Sequence, residues 1–193
     1  MIHVEPQPEP PDFDARVRQP GQEDLAMPDG ELRPHWSNCA QQLWQAYRGI
    51  CAYSSLYIPR GTGARSVDHL LPKSKRREQA YEWTNYRLAC VRMNARKNAF
   101  EEVLDPFEVQ DGWFTLELST LEVLPAEGLP EDLHQRVQET IDRLSLNDDE
   151  FVRAREAYYH DYLSGEVQFR HLSRYFPFLA KELVRQGIVS EDS

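Results

Sequence analysis

The sequence predicts an α+β protein, and three observations carry that prediction. Two short apolar runs, at 67–71 and 86–90, lie on either side of a basic loop, as the strands of a hairpin do. A helix-compatible segment opens at Asn94, soon after the second run. From residue 130 the chain reads as helical, with turn residues marking where helices start and stop.

Taken in order, residues 1–34 are rich in Pro, Glu, Asp and Gln and hold few apolar anchors. Over 5–11 each residue ahead of a proline avoids the helical region, so the sequence predicts an extended arm, wrapped over the surface or partly disordered. Residues 35–100 form the central region. A helix is predicted over 35–48, where Trp36, Leu43, Trp44 and Tyr47 recur near helical spacing and Gly49 provides a stop. Pro59, Gly61 and Gly63 then turn the chain into the first apolar run. Gly61-x-Gly63 lacks the third glycine and the helix of a dinucleotide fingerprint.

Residues 101–193 read as an accessory hairpin followed by helices. Pro106 breaks the preceding helix, Asp111-Gly112 is a turn signal, and 113–118 and 121–124 suggest two short strands. Pro130, with Glu131 and Asp132 behind it, starts a helix to about 144. Asn147 and Glu150 resemble a capping box for a second, to about 163, ended by Gly165. A third covers 177–185 and stops at Gly187. Tyr158, Tyr159, His160 and Tyr162 are read as interhelical packing rather than as base contacts.

The chemistry lies within 66–98. Asp68-His69 sits in an apolar run that Pro72 terminates. Neighbouring strand side chains point to opposite faces, so these two meet at one site only if the strand ends or bulges there. Asp is a hard oxygen ligand suited to Mg²⁺, and His titrates near neutrality and can take a proton from water. Asn85 precedes the second apolar run, and Asn94-Ala95-Arg96-Lys97 opens the helix-compatible segment.

Asp68-His69, Asn85 and Asn94-x-x-Lys97, in that order, resemble the HNH nucleases, whose ββα-metal fold is a hairpin followed by a helix holding one divalent ion. The resemblance covers about residues 50–98 and implies a ββα-metal HNH core embedded in a mainly helical domain. It implies that His69 is the general base, that Asp68 and Asn94 bind Mg²⁺ or Mn²⁺, and that Asn85 orients His69 or its loop. Arg96 and Lys97 would hold the phosphates of DNA, and Lys73, Lys75, Arg76 and Arg87 extend the same basic stretch. Many members also carry a zinc knuckle of two C-x-x-C pairs. Here Cys51-Ala52-Tyr53-Ser54 and Cys90-Val91-Arg92-Met93 keep one cysteine each, so no structural zinc is expected. Cys51, Cys90 and Met93 are read instead as buried apolar residues. With its Pro-rich arm, tryptophan-bearing helix and helical tail, the chain is also similar to small HNH proteins of bacterial anti-phage systems, Septu- and retron-associated ones among them. That similarity implies antiviral defence beside an ATPase partner.

The net charge of −10 opposes indiscriminate nucleic-acid binding, but its distribution is uneven. Residues 60–98 hold ten basic side chains against three acidic ones, a local charge of +7, and the remainder carries −17. With screening over about 8–10 Å, the near field of that basic patch decides whether phosphate binds. No apolar run approaches the roughly 20 residues needed to span a membrane. The first residues have neither the basic region nor the apolar core of a signal peptide, and three cysteines without framework spacing fit a reducing compartment. The sequence therefore predicts a cytoplasmic protein. The competing expectation is a catalytically degenerate HNH fold that binds nucleic acid or a protein partner. Loss of the zinc cysteines favours that module, and retention of Asp68, His69, Asn85 and Asn94 favours the enzyme.

Overall fold

A computed structural model describes residues 1–27 and 30–189 of the 193. The chain is α+β, with seven α-helices and two small antiparallel sheets among the described residues. In chain order these are α1 (Gln19–Leu25), α2 (Ala40–Ala46), β1 (Arg65–His69), β2 (Tyr86–Cys90), α3 (Val91–Lys97), β3 (Phe114–Leu116), β4 (Val123–Pro125), α4 (Glu131–Leu144), α5 (Asp149–Leu163), α6 (Phe169–Tyr175) and α7 (Pro177–Arg185). They divide between two compact units. One, the hairpin unit, comprises Glu5–Cys51 and Ile58–Glu101; the other, the helical unit, comprises Met1–Val4, Ala52–Tyr57 and Glu102–Ser193.

In the hairpin unit β1 and β2 pair antiparallel, with Val67 opposite Leu88, Asp68 opposite Arg87 and His69 opposite Tyr86. The helix α3 starts at the residue after β2 ends and returns against both strands. Because α2 and α3 both pack on β1, side chains on either face of that strand leave water, and Val67, Asp68 and His69 are all buried. The helix α3 has no side-chain N-cap and ends at Asn98, whose φ of 47° is one that Asn tolerates better than most residues. The segment expected as one helix over 35–48 is a 3-10 turn at His35–Cys39 followed by α2.

The arm is neither extended throughout nor merely draped on the surface. A π-type turn at Asp14–Arg18 runs into α1, and Phe13, Val17 and Asp24 are buried. The ring of Phe13 meets the edges of Trp83 and Tyr86 at 5.6 and 5.8 Å. Gly21 lies so close to Tyr81 that a Cβ there would come within 2.3 Å of the ring. The Asp24 carboxylate accepts from Tyr81 Oη (2.7 Å), Arg33 N (2.9 Å) and Arg33 Nε (2.6 Å). Burial pushes that carboxyl up, but these donors together outweigh it and hold the group at about 2.

The helical unit is built on β3 and β4, paired with Leu116 opposite Val123. Val137, Ile141 and Leu144 place a buried stripe on α4, which packs against β4. Asn147 does not cap α5: its side chain accepts from Val123 N and donates to Val123 O, while Asp148 accepts from Glu150 N and is the cap. The helix α6, absent from the sequence expectations, stands between α5 and α7 in the chain. Among the described residues no helix is long and apolar enough to cross a membrane.

Candidate functional site

His69 is the last residue of β1, so the strand end that the sequence required is present, and Asp68 and His69 line one cavity of about 320 Å³. Asn94 and Asn98 from α3 and its end, and Pro72, Lys73 and Ser74 from the loop, complete much of its wall. The His69 ring is only 7% exposed and stands edge-on to Trp36 (4.9 Å) and Tyr86 (5.2 Å). Its Nε2 lies 2.9 Å from the carbonyl of Ala80. A carbonyl can only accept, so Nε2 carries the proton and Nδ1 holds the lone pair in the neutral ring. Burial lowers the imidazole pKa to about 4; the Ala80 contact opposes that shift, and Lys73 and Lys97 reinforce it. At neutral pH this is an uncharged ring with one nitrogen able to accept a proton.

Asn85 braces the loop that brings Ala80 to His69. Its Oδ1 accepts from Leu71 N (2.8 Å), and its Nδ2 donates to Leu71 O and Gln79 O, both at 3.0 Å. Its side chain is therefore bonded into that loop. Tyr86 Oη donates to the same Ala80 carbonyl at 2.8 Å, a second clamp that the sequence did not reveal.

Asp68 is almost wholly buried, and so is Lys97, whose Nζ lies 3.4 Å from Asp68 Oδ2 and donates to the His69 carbonyl at 2.7 Å. Lys97, expected among the phosphate contacts, is thus turned inward. Arg87 is also buried, and its Nη1 donates to the carbonyls of Thr84 and Tyr86. Arg96 is half-buried. Of the six expected phosphate ligands, Lys73, Lys75 and Arg76 are exposed. Lys73 Nζ stands 5.2 Å over the Trp36 ring, while Lys75 and Arg76 approach Glu101 at 3.2 and 3.9 Å. Asn94 Nδ2 donates to Ser66 Oγ, which leaves its amide oxygen as the acceptor end.

No group of three or more His, Cys, Asp and Glu gathers as a metal site among the described residues. The oxygen donors at this cavity are one carboxylate, Asp68, and one amide, Asn94. Cys51 and Cys90 come together, with Cys90 N 3.5 Å from Cys51 Sγ, and Met93 is buried. Neither cysteine forms a disulfide, and the contact with Cys51, then burial, push the Cys90 thiol up.

A larger cavity of about 710 Å³ lies in the helical unit, lined by Phe114, Phe178 and Val184 among others. Its charged groups are engaged with one another: Lys181 with Asp111 at 2.8 Å and Arg185 with Glu182 at 2.8 Å. Size favours that cavity, but the neutral imidazole, carboxylate and amide are at the smaller one. Compared with family models and with curated proteins, the chain matches none. The reading of the site rests on its own residues.

Proposed function

We propose that this chain is a metal-dependent HNH-type endonuclease that hydrolyses phosphodiester bonds in DNA. The observation that carries the reading is the neutral His69 ring, fixed through Nε2, at the same cavity as the Asp68 carboxylate and the Asn94 amide. The strand–strand–helix order of β1, β2 and α3 supports it.

In this reading His69 Nδ1 takes a proton from the attacking water, while Nε2–H stays on the Ala80 carbonyl and keeps the ring aimed. Asn85 and Tyr86 Oη are positioning groups, because both act through the loop that carries Ala80. Asp68 and Asn94 would hold Mg²⁺ or Mn²⁺ through one carboxylate and one amide oxygen, with the ion's own waters and the substrate phosphate as the remaining ligands. The bound ion supplies positive charge against the leaving 3′-oxygen. Lys73, Lys75 and Arg76 offer flanking phosphates three exposed cations.

The test is cleavage of plasmid and single-stranded DNA with Mg²⁺ or Mn²⁺, with and without EDTA, comparing the parent with His69→Gln. Metal-dependent cleavage lost in the variant is the expected result. Equal cleavage by both would remove His69 from the reaction. The buried Asp68–Lys97 ion pair favours a second reading, a binding module whose carboxylate is already satisfied inside the fold. That reading expects DNA to bind, with no cleavage under any metal.

A further inference from the structure

The charges around the cavity bear on how an ion would arrive. Asp68 contributes −1 and Lys97, 3.4 Å away, contributes +1. The His69 imidazole adds no negative charge in either protonation state, and Asn94, Asn98 and Ser74 carry none. Lys73 adds a positive charge at the wall. The lining therefore sums to no negative charge. A divalent ion near Asp68 would meet the Lys97 ammonium at a distance where Coulomb repulsion is large even at an effective dielectric of about 20. The usual remedy is a second carboxylate, and none lines this cavity.

We infer, resting on the nuclease reading above, that a divalent ion does not occupy this site alone but enters together with a phosphodiester, whose negative charge completes the ligand set. Lys97 is then a positioning residue with two effects. It fixes the Asp68 carboxylate and the end of β1 through the His69 carbonyl, and it keeps the site from holding an ion in the absence of substrate. The phosphate oxygens supply both the missing charge and further hard oxygen ligands.

The experiment is Mn²⁺ binding, followed by loss of the free-ion electron paramagnetic resonance signal. It uses the full chain carrying His69→Gln so that DNA stays intact. Weak binding by the protein alone is expected, tightening by about tenfold or more when a short DNA duplex is added, beyond the uptake of the duplex itself. Adding Lys97→Gln, or separately Asn94→Asp, should tighten Mn²⁺ binding without DNA by about tenfold or more, because each makes the site one charge more negative. Asn94→Asp keeps the test sound if Lys97→Gln fails to fold, since the Ser66 hydroxyl can turn to donate to a carboxylate. Mn²⁺ binding equally tight with and without DNA, unchanged by both substitutions, or missing in every variant would overturn the inference. Cleavage reports separately on the parent reading. His69-dependent cleavage with tight ion binding by the protein alone sinks only the inference, and DNA-linked Mn²⁺ uptake without cleavage by the parent sinks only the nuclease.

Discussion

Both units bury charged side chains, and they use them in opposite ways. In the helical unit Glu182 accepts from Leu116 N and Thr115 Oγ1, both at 2.9 Å, and Arg155 donates to the carbonyls of Leu121 (2.7 Å) and Leu146 (3.0 Å). Each is bonded into a strand or loop. In the hairpin unit Asp68, His69 and Lys97 are buried too, and Asp68 and His69 line a cavity as Glu182 does in the helical unit. Burial of charge by itself therefore does not mark a site. What distinguishes the two regions is that the Glu182 carboxylate is taken up by Thr115, Leu116 N, Arg185 and Gln186, whereas the His69 ring, held through Nε2, keeps Nδ1 able to accept a proton.

The largest expected effect tests that distinction directly. His69→Gln should lower the cleavage rate by about 10²- to 10⁴-fold, the range for loss of a general base, with urea midpoints reporting the fold separately. Arg155→Met should leave the rate of the folded protein unchanged. A rate loss in Arg155→Met comparable to that in His69→Gln would erase the contrast between the units.

Next in size is stability. Lys97→Ala removes the ammonium beside the buried Asp68 and the donor to the His69 carbonyl and should cost about 3–5 kcal/mol. Arg155→Met leaves two buried carbonyls short of donors and should cost about 1–3 kcal/mol. Urea unfolding of both variants beside the parent gives the order, and a reversal would mean that Asp68 is not held as an ion.

A smaller effect separates the units by pH. The His69 pKa is lowered from 6.5 to about 4, so between those values the unfolded chain binds the proton that the folded chain refuses. Stability from this group is complete above pH 6.5 and is lost as pH falls toward 4, by up to about 3 kcal/mol. Glu182 is held below the ordinary carboxylate range: burial pushes it up, but Arg185, Leu116 N and Thr115 outweigh it. Its contribution lasts to lower pH and is lost only as pH falls through that depressed value. Metal-free urea midpoints at pH 7, 5 and 4 should converge for the parent and His69→Gln, whereas Glu182→Gln should keep its deficit across that range.

The smallest effect concerns the exposed loop. Changing Lys73, Lys75 and Arg76 together to Gln should weaken DNA binding and flatten its salt dependence by up to about one unit of slope for each phosphate contact removed. Fluorescence anisotropy across a salt series reads both quantities. An unchanged slope would place the DNA elsewhere.

Much of this was legible in the sequence where a local signal fixes the outcome. The second strand occupies 86–90 as read, and Asp68-His69 ahead of Pro72 forecast a strand end. Strand β1 is shifted by two residues because Asn85 draws Leu70 and Leu71 into the turn. Helix α3 begins three residues before Asn94, since Cys90 provides no side-chain cap to mark its start. The arm misled because prolines dominate its composition while Phe13 and Val17, four apart, supply the buried face. Pro20 lies within the first two positions of α1, where a proline is tolerated. Lys97 was the hardest residue to place. An inward and an outward lysine look alike in sequence, and only the tertiary fold reveals the carboxylate waiting for its ammonium.

The path of the chain between the units also limits how the protein can be taken apart. Residues 1–4 and 52–57 belong with the helical unit, while 5–51 and 58–101 belong with the hairpin unit. Neither unit is an uninterrupted stretch of gene. A recombination event that grafted 58–101 onto a new host would leave behind Phe13, which packs on Tyr86, and Trp36, which packs on His69. The hairpin therefore keeps its packing only when 5–51 travel with 58–101, and a cut at any single point of the chain does not separate the two units.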